Sequence, residues 1–151
     1  MKMKLFKTIP VFFMFCAFAV TAFAQSSTND IFGYYMIEKA PKAFADISEI
    51  HLAGNYGAAQ KPPFYGLIRL KAKKAKDFKL LKPTLDGKNL TFSTTSVNGI
   101  SYTFTGTFTR LGDFPNEQPE GEILLKGTLT KLKGKAILAK ANLSFSYTAG
   151  D

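Results

Sequence analysis

The chain has 151 residues, a formal net charge of +9, 15 phenylalanines, no tryptophan, one histidine and one cysteine. A single cysteine excludes a disulfide framework or a zinc centre built on thiolates, and a lone histidine leaves little for an imidazole site. The length suits one domain with a sizeable core, and the basic balance favours anionic surroundings.

The first 24 residues read as a secretory signal. Lys2, Lys4 and Lys7 precede an apolar run from Ile9 to Val20, which Ala22-Phe23-Ala24 closes with small residues where a signal peptidase reads them. That run is well short of the roughly 20 residues a spanning helix needs, so cleavage after Ala24 is expected and a retained membrane anchor is not. Cys16 lies inside the run behind bulky Phe13, Met14 and Phe15, which argues against lipid attachment. Cleavage leaves 127 residues without a thiol, carrying 17 basic and 11 acidic side chains. The product is expected to be secreted or periplasmic, held together by packing alone.

Residues 25–30 (QSSTND) form a polar leader, and 31–151 read as a single antiparallel β domain. Short β-branched and aromatic runs between Gly, Pro, Asn and Asp predict strands near 31–38, 44–53, 64–71, 77–82, 88–96, 100–110, 122–132 and 136–148. Eight strands with short connections predict an all-β fold, either a small barrel or a two-sheet sandwich. Strand count and size are lipocalin-like, but without tryptophan the chain lacks that family's tryptophan motif, and nothing further is taken from it. The stretch 39–63 shows no clean period, and Ala72 to Lys82 could also form a short amphipathic helix.

Alternation is clearest from Ile100 to Arg110, where Ile100, Tyr102, Phe104, Gly106 and Phe108 share one face and Ser101 with four threonines takes the other. The last strand repeats the rule, with Ile137, Ala139, Ala141, Leu143, Phe145 and Tyr147 facing in. Register sharpens the picture. A three-residue loop Val97-Asn98-Gly99 pairs Leu90 with Gly106 and Phe92 with Phe104, placing both apolar sets on one face. Leu85-Asp86-Gly87, treated alike, pairs Leu80 with Phe92 and Lys82 with Leu90. An internal echo, Phe104-Thr-Gly-Thr-Phe-Thr-Arg-Leu111 against Leu125-Lys-Gly-Thr-Leu-Thr-Lys-Leu132, puts a glycine between two large side chains in each strand. Such a glycine marks a bend or a close backbone approach.

Candidate chemistry is sparse. His51 has only Asp46 and Glu49 near it in sequence, too few for a metal centre. No nucleophile elbow or phosphate loop occurs, so neither an enzyme nor a bound cofactor is expected. Two features remain. The inward aromatics Tyr102, Phe104, Phe108, Phe145 and Tyr147, interspersed with Gly and Ala, would line a cavity for a small apolar or amphipathic ligand unless they fill the core. The cluster Arg69, Lys71, Lys73, Lys74 and Lys76, continued by Lys79 and Lys82, would dock an anionic polymer, lipid or protein; nucleic acid is not expected. Loop 111–121 offers Phe114 as an apolar tip among Asp113, Glu117 and Glu120. Asn89-Leu90-Thr91 and Asn142-Leu143-Ser144 are glycosylation sequons. The sequence thus predicts an exported, non-enzymatic binding domain, with the interior as first candidate site and the lysine surface as second.

Overall fold

The computed structural model describes residues 30–54 and 64–150. The expected signal helix, Cys16 and most of the polar leader lie outside those residues. Eight antiparallel strands follow one another round a closed barrel: β1 (Gly33–Ile37), β2 (Ile47–Ala53), β3 (Tyr65–Leu70), β4 (Phe78–Asp86), β5 (Asn89–Thr94), β6 (Ile100–Phe108), β7 (Ile123–Lys133) and β8 (Ala136–Thr148). Closure comes from β1 pairing with β8, Tyr35 opposite Tyr147 and Ile37 opposite Phe145. A closed sheet has no free edge along its paired length, and its inner face becomes the core. The barrel form is therefore the realised alternative, and of the stretch Ala72 to Lys82 the residues from Phe78 on are strand and those before it a turn, not a helix.

Alternation does what the sequence predicts on β6. Tyr102, Phe104, Gly106 and Phe108 are buried and the intervening threonines exposed. On the outer wall those threonines meet other hydroxyls and amides: Thr105 opposes Thr91 and Thr128, and both sequon asparagines accept hydrogen bonds, Asn89 from Thr107 and Asn142 from Thr128.

Two expected hairpin loops are corrected. Val97 bridges Ile100 directly around a two-residue turn, with Asn98 at φ 53° and Gly99 at φ 77°, the conformation that selects Asn-Gly. The predicted pairs Leu90–Gly106 and Phe92–Phe104 nevertheless hold, because one extra residue on the β5 side, between Ser93 and Val97, restores the parity. At the preceding turn Asp86 opposes Asn89 around Gly87 and Lys88, and Leu85 opposes Leu90. Here the bulge lies on β4 at Lys82 and Pro83, with Lys82 at φ 47°, so Leu80 pairs with Thr94, not Phe92. A bulge suits Pro83, which has no N–H to give the ladder. An odd loop and an even loop plus one bulge leave the same side chains facing in.

The echo has a physical basis. Gly106 and Gly127 are direct cross-strand partners. A Cβ on Gly127 would meet Gly106 Cα and Thr105 O at 2.5 Å and the Phe104 ring at 2.6 Å. The glycine pair lets the Phe104 ring lie flat across two strands.

β8 brings another correction. Lys131 opposes Ala139, but Leu132 opposes Ile137, leaving Leu138 as an extra residue in a bulge. Beyond it the faces exchange, and Ile137, expected inside, is 64% exposed. Finally, 44–53 is not one strand: residues Lys42–Phe44 form a 3₁₀ turn before β2 begins, and its Phe44 is buried.

Candidate functional site

The five expected ligand residues do come together, as the core itself. Tyr102, Phe104 and Phe108 from β6 and Phe145 and Tyr147 from β8 are all buried. Phe104 stacks on Phe92 at 5.2 Å and meets Phe145 edge-on at 5.6 Å; Tyr102 meets Phe78 edge-on at 4.9 Å. Tyr35, which alternation alone did not single out, stands edge-on to both Phe108 and Tyr147 at 5.7 Å. Rings at these separations gain packing beyond their buried area. Two phenols are satisfied by backbone: Tyr35 donates to Ile31 O at 2.5 Å and Tyr147 to Phe32 O at 3.2 Å. Burial pushes the Tyr147 phenol up to about 12, helped by Glu120, Asp30 and Asp113. Burial likewise raises Tyr35 and Tyr102, the latter with help from Asp46. These groups stay neutral at physiological pH, and those of Tyr35 and Tyr147 serve as internal hydrogen-bond donors.

The two mouths of the barrel differ in charge. One is formed by the β1–β2, β3–β4, β5–β6 and β7–β8 connections. Lys39 and Lys42 lie on the first, Lys71, Lys73, Lys74 and Lys76 on the second, Lys133 and Lys135 at the fourth, all exposed. Hydrogen bonds join these connections into one rim: Lys71 N donates to Asp46 O at 2.9 Å, and Gly134 N to Gly99 O at 3.1 Å. Lys131 points inward over the Tyr102 ring, its Nζ 5.9 Å from the centroid, and reaches Ala43 O and the Asp46 carboxylate at 3.4 and 3.2 Å. It pins the β1–β2 connection across the mouth, with Phe44 buried beneath.

Of the expected basic cluster, Lys71, Lys73, Lys74 and Lys76 sit together on this rim. Arg69 differs from them in being engaged by carboxylates. It lies on the outer wall, paired to Glu49 at 2.8 Å and lying 3.8 Å from Asp77.

Among the described residues the opposite mouth carries more acidic than basic side chains. Asp30, Asp86, Asp113, Glu117, Glu120 and Glu122 gather there. Arg110 bonds Glu117 and Glu122, which raises its own pKa and lowers that of Glu122. Burial raises Asp30, and neighbouring Asp113 adds to the effect. Phe114 does not form an exposed tip. It begins a short helix, α1 (Phe114–Glu117), and is fully buried against Phe108 and Tyr147 under the Arg110 guanidinium. Phe114 N bonds Asp30 O at 2.8 Å, so the end of the polar leader is held in place.

No family model, curated protein or solved structure matches this chain. A dent of about 350 Å³ on the outer wall is lined by Tyr34, Glu49, Arg69, Thr148 and Gly150. Beside it His51 stacks on Tyr34 at 4.3 Å, and burial lowers its pKa. With Glu49 engaged by Arg69, the imidazole is a wall residue packed on an aromatic ring. Among the described residues no three His, Cys, Asp or Glu side chains gather as a metal site.

The basic rim was only partly legible. Lys71 to Lys76 are adjacent in sequence, whereas Lys39, Lys42, Lys133 and Lys135 join them only when the barrel closes.

Proposed function

We propose that the protein is an exported, non-enzymatic β-barrel that docks on anionic surfaces or polymers through its lysine-bearing mouth. The observation that carries this reading is an imbalance of charge along the barrel axis among the described residues: eight exposed lysines on three of the four connections at one mouth, against Glu38, Asp46 and Asp77 there, and six carboxylates around the other, against Lys88 and Arg110. Such a distribution orients the molecule in the field of an anionic partner, drawing the basic mouth in and holding the acidic mouth away. The rigid closed sheet holds the rim lysines in a fixed ring, and the hydrogen bonds between connections keep them from spreading. The aromatic interior supports this reading, since its rings pack on one another and its Tyr35 and Tyr147 phenols bond to backbone.

Retention on a sulfated-polysaccharide column tests it. The wild type is expected to bind and to elute at a salt concentration well above that needed by a Lys71→Glu, Lys73→Glu, Lys74→Glu, Lys76→Glu variant. Lys88→Glu, which alters the acidic mouth, should elute with the wild type. Failure of the wild type to bind, or equal elution of all three, would overturn the reading.

A further inference from the structure

Resting on that reading, we infer that the anionic partner is a lipid bilayer surface and that the β7–β8 hairpin is the part that enters it. The bulge at Leu138 is the starting point. It turns the end of β8 over, so that Ile137 and Leu138 are 64% and 53% exposed on a hairpin tip, with Leu132 opposite Ile137. A bulge that presents two large aliphatic side chains to water at the end of a barrel offers apolar surface a partner can cover. Lysines frame them: Lys133 ends β7, Lys135 sits in the turn, and Lys140 lies on the outer face below.

The hairpin's own charge is one-sided. From Ile123 to Gly150 the sequence contains no aspartate or glutamate. Aliphatic side chains ringed by lysines match the layered chemistry of an anionic membrane, with hydrocarbon below a plane of phosphates. A soluble polyanion uses the lysines but has nothing to offer Ile137 and Leu138. The hairpin belongs to the same rim as Lys71 to Lys76, through the Gly134–Gly99 bond and the Lys131 contacts to the β1–β2 connection. Seating the tip therefore brings the whole basic mouth toward the head groups.

Co-sedimentation of the full chain with phosphatidylcholine vesicles, with and without phosphatidylglycerol, tests this, alongside retention on the sulfated polymer. Any contribution of residues 1–24 is shared by all variants, so differences among them report on the hairpin. The wild type should bind the anionic vesicles and much less the neutral ones. Ile137→Ser with Leu138→Ser should weaken vesicle binding about tenfold or more and leave polymer retention unchanged. Lys133→Glu with Lys135→Glu should weaken both, since each lysine near an anionic surface contributes roughly fivefold. Should the double serine variant lose its β signal in circular dichroism, Leu138→Gln alone serves, with a smaller loss expected. Vesicle binding unaffected by these apolar replacements, or a wild type held by the polymer but not by vesicles, overturns the bilayer inference and leaves the basic-mouth reading standing. Binding to neither overturns both.

Discussion

Replacing Gly127 by alanine tests the barrel's tightest point. The new Cβ would lie 2.5 Å from Gly106 Cα and from Thr105 O, where ordinary contact begins near 3.4 Å. Both obstacles are backbone of the paired strand, so β6 and β7 must part by about 1 Å, and the Phe104 ring must lift as well. Overpacking of this kind costs about 1–3 kcal/mol, and a weakened ladder bond adds about 1 kcal/mol. Reduced freedom of the unfolded chain returns about 0.4–1 kcal/mol. A net loss of about 2–3 kcal/mol is expected, which at a urea slope of about 2 kcal/mol/M lowers the midpoint by more than about 1 M. Gly134→Ala is the control: its Cβ meets open space, and only its φ of +58° opposes the change, at a cost of about 1 kcal/mol. Equilibrium unfolding in urea followed by far-ultraviolet circular dichroism reads both. A Gly127→Ala loss no larger than that of Gly134→Ala would refute the glycine-pair argument.

Phe114→Ala should cost about 3–5 kcal/mol, because it empties a fully buried site between Phe108 and Tyr147; a loss below about 1 kcal/mol in urea unfolding would show that the plug is dispensable. Deleting Lys82 removes the bulge that restores parity on β4, so Phe78 and Leu80 would turn outward; the variant should lose its cooperative thermal transition, and a sharp one would contradict the register. Alkaline stability should follow the buried phenols. Their folded pKa values are raised, Tyr147 to about 12 from an ordinary 10, so the folded state holds protons that the unfolded chain releases. Stability is then complete below about pH 10 and lost as pH rises toward 12, and tyrosinate absorbance at 295 nm should show a late phase that coincides with loss of the β signal. A single early phase with the fold intact would contradict it.

Much of the architecture was readable from residues such as Tyr102, Phe104 and Phe108, whose alternation with threonine leaves only one face to bury. The facing of β5 and β6 was readable for the same reason, although the loop assignments were not: parity sees only whether a residue is added, not whether it lies in the turn or at Lys82. The bulge at Leu138 was hidden because isoleucine, leucine and alanine on both sides suit either face. Phe114 was misplaced because its carboxylate neighbours suggested solvent, whereas Glu117 binds Arg110 and the Asp113 amide, Asp113 the Asn116 side chain and Glu120 the Ala149 amide while the ring is buried. Side-chain type put Tyr147 and Phe145 in the interior, but whether rings fill that interior depends on strand stagger and tilt, which pairing patterns alone leave open. The charged mouths emerge only from connectivity, as Lys39, Lys73 and Lys135 are far apart along the chain.

The orientation of the docked molecule is the most direct measure of the account. In a Cys16→Ser background, which leaves no thiol, single cysteines at Lys135 and at Asp86 place a polarity-sensitive fluorophore at one mouth or the other. On titration with anionic vesicles the label at 135 should shift to the blue, reversibly with salt, while the label at 86 stays unchanged. A response at 86 with silence at 135 would mean that the acidic mouth faces the partner, and the basic rim would not be the docking surface.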